Sequence, residues 1–176
     1  MKLIRSNKKG FGIHSPSVFH LVTRVLFPPP DVDSLKNETF FQGKNREGEW
    51  DIIFRLLHFY QPSRVLYVGE TAEGEPGFLK KAAPSAEFVI HGSSQKRNEL
   101  KEFPFVIFAG LIPDPELPVS GEKSVWCVKI PNKNKKMADF FQSLVSEPNA
   151  RVTIRLKNTG IIIVDRNIPK HGYVIK

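Results

Sequence analysis

Cysteine is nearly missing from this chain: Cys127 is the only one in 176 residues. An intrachain disulfide and a cysteine-based metal cluster are thereby excluded, and a reducing compartment fits. No apolar run approaches the roughly 18 residues that a membrane-spanning helix needs. The stretch Met1-Lys-Leu-Ile-Arg-Ser-Asn-Lys-Lys-Gly10 carries charge without the apolar segment of a signal peptide. The expected location is the cytoplasm, away from membranes. Acidic residues are also scarce, 18 against 26 Lys and Arg, which leaves a net charge of +8. Such a balance raises nucleic acid as a partner. The cations are scattered, however, and the densest groups are Lys2, Arg5, Lys8 and Lys9, then Lys96 and Arg97, then Lys133, Lys135 and Lys136. No aromatic residues interleave with them as in RNA-binding sheets, so a solvated surface is the plainer reading.

What is present is an ordinary globular composition, 40% hydrophobic, arranged as alternating helical and strand patterns. Ser15 is placed to cap a helix with Pro16 in its first position, and Val18, Leu21, Val22 and Val25 follow at helical spacing until Pro28. Residues 31–45 read as a loop or short helical turn around Phe40 and Phe41. Residues 47–60 form the clearest amphipathic pattern, with Trp50, Ile53, Phe54 and Leu57 on one stripe and Gln61-Pro62 as the stop. Strands are expected at 65–68, 87–91, 105–108 and 125–130, and helices at 77–83, 95–102 and 137–145. This alternation argues for parallel pairing. Strands at 151–156 and 160–165 are separated only by Lys157-Asn-Thr159, which demands an antiparallel hairpin, because a parallel crossover takes a dozen or more residues. A last short strand covers 172–176. The expected organisation is an N-terminal helical segment, 1–61, packed on an α/β core, 62–176, as a single compact domain.

Gly12-Ile-His-Ser-Pro-Ser-Val-Phe19 resembles the Gly-(Ile/Val)-His-Ser-Pro-Phe-Val-(Phe/Tyr) opening of a Bacteroidetes-type family of class I S-adenosylmethionine-dependent methyltransferase-like proteins. Leu56-Leu-His-Phe-Tyr-Gln-Pro-Ser-Arg-Val-Leu66 is similar to that family's helix and the entry to its first strand. Met137-Ala-Asp-Phe140 and residues 151–164 fall where its late helix and terminal hairpin lie. The resemblance implies a Rossmann-like methyltransferase fold, a mostly parallel sheet ending in an antiparallel hairpin. The implied spatial order is second, first, third, fourth strand, then the two hairpin strands with the later one beside the parallel sheet. Because only residues 92–104 separate two of the strands, where the family inserts a helix, a strand and a helix, one edge strand is expected to be missing.

The chain departs from that family at its acidic positions. Tyr67 stands where the first strand ends in an acid, and Glu70 adds a carboxylate inside the following turn. His91-Gly92 replaces the acid that would accept hydrogen bonds from the cofactor's ribose, and a neutral imidazole offers one acceptor where a carboxylate offers two oxygens. Ala109 before Gly110, Val128-Lys129 in place of an Asp pair, and Arg155 in Thr153-Ile-Arg-Leu156 complete the series. Without those oxygens no hard-cation site is expected.

By resemblance, S-adenosylmethionine would contact Gly69, Glu70, Gly74, His91 and Gly110, and His14 and Ser15 would face the substrate side. Plainer readings stand beside these. The Gly69–Gly77 turn reads as vestigial, since Glu70, Glu73 and Glu75 surround it with negative charge. Ser15 is explained by capping, with His14 packed beside it. The other histidines, 20, 58, 91 and 171, lack metal-ligand spacing, and Cys127 within an apolar strand reads as buried and inert. The expected function is a methyltransferase homologue with cofactor binding and catalysis impaired or lost, acting as a binding or scaffold module. An active methyltransferase with a rearranged pocket and a basic nucleic-acid-binding module remain as alternatives.

Overall fold

Among the described residues, eight strands join in one sheet whose two faces are both covered. The computed structural model describes residues 4–29, 49–69, 75–91, 103–110, 123–131 and 134–176. In chain order the elements are β1 (Ile4–Ser6), α1 (Pro16–His20) running into a π-helical segment (Leu21–Leu26), α2 (Glu49–Tyr60), β2 (Arg64–Val68), α3 (Glu75–Ala82), β3 (Glu87–His91), β4 (Phe105–Phe108), β5 (Lys123–Lys129), α4 (Lys135–Ser146), β6 (Ala150–Arg155), β7 (Thr159–Asp165) and β8 (His171–Ile175). The sheet order is β1-β8-β6-β7-β5-β4-β2-β3. Only β7 runs against its neighbours, β5 and β6; the other pairs are parallel. The chain is thus α/β, with a mostly parallel sheet. No helix among the described residues is long and apolar enough to cross a membrane.

The run β3-β2-β4-β5-β7-β6 is the order that the resemblance implied, including the later hairpin strand beside β5. The hairpin closes through Leu156 N–H donating to Thr159 O at 2.8 Å. Two strands extend the sheet beyond β6. β8 pairs with it in parallel, and β1 adds to the far side of β8, Ile4 opposite Tyr173. The segment read as purely helical therefore supplies an edge strand. Whether a strand is missing beyond β3 turns on residues 92–102, which lie outside the described residues, as do the expected loop at 31–45 and helix at 95–102.

Alternation along the strands builds two cores. Val65, Tyr67, Phe105, Ile107 and Cys127 face the side covered by Val22, Ile53, Leu57 and Leu79. Leu66, Val68, Val106, Phe108 and Trp126 face Met137, Phe141 and Leu144 of α4. Parallel strands covered on both faces read as continuous apolar runs, which is why β2, β4 and β5 were visible without a polar alternation.

The helix ends differ from their sequence reading in two details. Ser15 takes the N-cap position with an extended backbone, but its hydroxyl makes no cap; Oγ lies 3.1 Å from Ser17 Oγ instead. Past His20 the helix widens to a π geometry, with Phe27 N–H reaching Val22 O at 3.0 Å, and this wider turn keeps Leu21, Val22, Val25 and Leu26 all in the core. At the end of α2, Gln61 adopts a left-handed φ of 42°. Its side-chain amide donates to His58 O at 2.8 Å and Ala82 O at 2.9 Å, tying α2 to α3 and offsetting the roughly 1–2 kcal/mol that such a backbone costs.

Candidate functional site

In open parallel sheets a ligand site forms outside the carboxyl ends of the strands, where the chain order reverses. Here that point lies between β2 and β4. Val68, Phe108 and His91 end adjacent strands in register, so the sheet brings Gly69, His91 and the 109–110 segment to one edge. Gly69 has φ 129°, a backbone that side-chain-bearing residues rarely adopt. A Cβ there would lie 2.6 Å from Gly110 N. Val68 O accepts from Ala109 N at 2.8 Å and from Gly110 N at 3.3 Å. The two strand ends are therefore laced together by backbone, and a glycine at 69 is needed for that approach as much as for any ligand.

His91 ends β3, opposite Val68 at the end of β2. Glu70 and Gly74 lie outside the described residues. His14 and Ser15 follow Gly12, whose backbone packs on β1, 3.1 Å from Arg5 O to a Cβ built at Gly12. β1 and β2 are separated in the sheet by β8, β6, β7, β5 and β4. At the usual strand spacing that is roughly 29 Å, so His14 and Ser15 are not gathered with Gly69 and His91.

Two of the altered acidic positions are brought together by a residue that the pattern had shown only as part of an apolar stripe. Trp50, in the first turn of α2, stacks on the fully buried Tyr67, with centroids 6.4 Å apart and planes 15° apart. Lys129 Nζ sits 3.9 Å from the Trp50 ring centroid, a cation–π contact. The edge of β2 and β5 thus carries a phenol, an indole and an ammonium in a stack. Nothing in the sequence linked Trp50 to Lys129; the register of β2, β4 and β5 does.

The other substitutions fall in different places. Ala109 is half-buried beside Gly69, and Val128 is fully buried beneath α4. Arg155 ends β6, its guanidinium carbon 5.7 Å from the Phe141 centroid, and burial lowers its pKa from the usual arginine value. Arg155 Nη1 is buried without a hydrogen-bond partner. Cys127 is fully buried in β5, and desolvation pushes its thiol up, so it is no nucleophile. Among the described residues, no three His, Cys, Asp or Glu side chains gather to hold a metal.

The chain matches no model of a known protein family, and no curated protein matches it.

Proposed function

We propose that the chain is a class I methyltransferase-like protein that no longer binds S-adenosylmethionine and serves as a binding or scaffold module. The fold half of this reading is supported by the strand order β3-β2-β4-β5-β7-β6 with β7 alone antiparallel. The functional half is carried by the Tyr67–Trp50–Lys129 stack.

S-adenosylmethionine presents a ribose diol, best met by a carboxylate, and a positively charged sulfonium, met by carboxylates or by open aromatic faces. At the carboxyl edge of β2 and β5 the Tyr67 ring is fully buried and Lys129 Nζ already sits 3.9 Å from the Trp50 ring centroid, and a like charge at such short range opposes the cation. His91 supplies at most one acceptor to the diol. These residues do not fit the cofactor, and no methyl-transfer step is derived through it.

Isothermal titration of the full chain with S-adenosylmethionine tests this directly. No heat of binding is expected up to millimolar cofactor. A micromolar dissociation constant would overturn the reading in favour of an active enzyme with a rearranged pocket.

A further inference from the structure

Among the described residues, α4 is the one helix that packs into the core on its side of the sheet, and that core stops short of one edge. Its strand residues come from β2, β4, β5, β7 and, at the start of β6, Ala150, with none from β8 or β1. Val152 and Ile154 of β6 and Tyr173 and Ile175 of β8 belong to the opposite core, and Ile4 of β1 packs against it. Side chains alternate along a strand, so Thr153, Arg155, Val174 and Arg5 stand on the α4 side. The Arg155 guanidinium carbon lies there, 5.7 Å from the Phe141 ring centroid of α4.

Val174 pairs with Arg155 on one side and with Arg5 on the other. The two arginines therefore stand in one row, two strand spacings or about 10 Å apart. Past Arg155 the row continues into a cleft of about 220 Å³ at the start of α4, where Lys135 and Lys157 join Arg155. β1, β6 and β8 contain no acidic residue, and neither does the first turn of α4. Arg155 Nη1 and Thr153 Oγ1 are buried without a hydrogen-bond partner. A buried donor left without an acceptor is costly, and most of all a charged one. The protein thus gathers cations on this face and supplies no acceptor for the Arg155 Nη1 donor.

We infer that the row Arg5, Arg155, Lys157 and Lys135 binds the phosphate backbone of a single-stranded nucleic acid. Cations strung in a row select a ligand whose charges are also strung in a row, and guanidinium forks match phosphate oxygens bidentately. A duplex is read by an element that enters its groove, whereas a sheet face beside a helix lays out a path for a single strand. None of these four positions is aromatic, so the contacts are to phosphate and binding is independent of base sequence. The inference names a partner for the binding module proposed above. It uses none of Gly69, Tyr67, Trp50 or His91, so cofactor binding in the calorimetric test would leave it standing.

Fluorescence anisotropy of a labelled single-stranded RNA of mixed sequence, titrated with the full chain at several salt concentrations, tests the inference. Binding in the micromolar range is expected at low salt. The double variant Arg5→Gln, Lys157→Gln is expected to weaken it about tenfold or more and to make the plot of log affinity against log salt shallower by about 0.7 for each charge removed. Both residues are exposed, so this variant decides the matter if Arg155→Gln fails to fold. Lys80→Gln, on α3 at the opposite face, is expected to change affinity less than twofold. Absence of binding at low salt overturns the inference, as does a double variant with unchanged affinity and slope. Duplex DNA binding more tightly than the single strand overturns it in favour of groove recognition. Polyglutamate binding as tightly as RNA overturns it in favour of an acidic protein partner.

Discussion

Asp165 illustrates how a single side chain at a strand end couples the fold to pH. Its carboxylate accepts from Asn167 N–H at 2.9 Å and lies 3.5 Å from Lys123 Nζ across the β5–β7 pair. The Asn167 N–H first, and the Lys123 ammonium after it, hold the carboxyl below its ordinary value of 3.8. A folded-state value below the unfolded one favours the folded chain when the group is ionised. The contribution is thus complete above the ordinary carboxylate range and is lost as pH falls through the folded value. Asp165→Asn is expected to lower the melting temperature at pH 7 and to flatten its decline below about pH 4. An acid limb identical to that of the unmodified chain would show that Asp165 is uncoupled. The importance of this residue was not visible in the sequence, because the turn at Asp165–Asn167 and the partner at 123 meet only across the sheet. The same holds for Trp50, whose periodicity declared it apolar but not that it would lie between Tyr67 and Lys129.

Elements are held by contacts in which one atom decides the sign of a substitution. α4 packs on the sheet through Phe141, whose ring occupies the space where a Cβ of Gly160 would stand. Gly160→Ala is expected to destabilise the protein by about 1–3 kcal/mol, as overpacking does in a close-packed core. Gly77, inside α3, meets nothing within 4 Å. Gly77→Ala is expected to stabilise by about 0.5–1 kcal/mol through its helix propensity. Urea melts of the two variants read both values, and a neutral Gly160→Ala would refute the packing of α4 against β7. The helices themselves were legible, since α2 and α4 keep their apolar residues at intervals of three and four. The π-helical turn was not, because Val18, Leu21, Val22 and Val25 suit an α-helix equally well and only the core they meet selects the wider turn.

At the scale of the molecule, β5 is the strand on which the sheet changes direction, parallel to β4 and antiparallel to β7. Cys127 sits at its middle, fully buried. Burial also raises its thiol well above the usual range, so both access and thiolate are withheld in the folded state. A thiol reagent such as dithionitrobenzoate is expected to label the native chain only through global unfolding, at a rate that rises with urea as the whole transition does. Fast labelling in buffer without denaturant would place the thiol outside the core.

Local pattern was enough to determine the strands of the central sheet, the hairpin and the sequence of elements, because burial on two faces and a three-residue connection leave few alternatives. The resemblance to methyltransferase-like proteins, rather than the pattern, had grouped Gly69, His91 and Gly110, and the register of β3, β2 and β4 sets their strands side by side. Tertiary structure alone decided that β1 pairs with β8 from the opposite end of the chain, since three residues carry too little pattern to specify a partner. It alone decided that Trp50 joins Tyr67 to Lys129. The physical reason is common to both: a side chain's charge and size are written in the sequence, but its neighbours are set by the register and order of strands far apart along the chain.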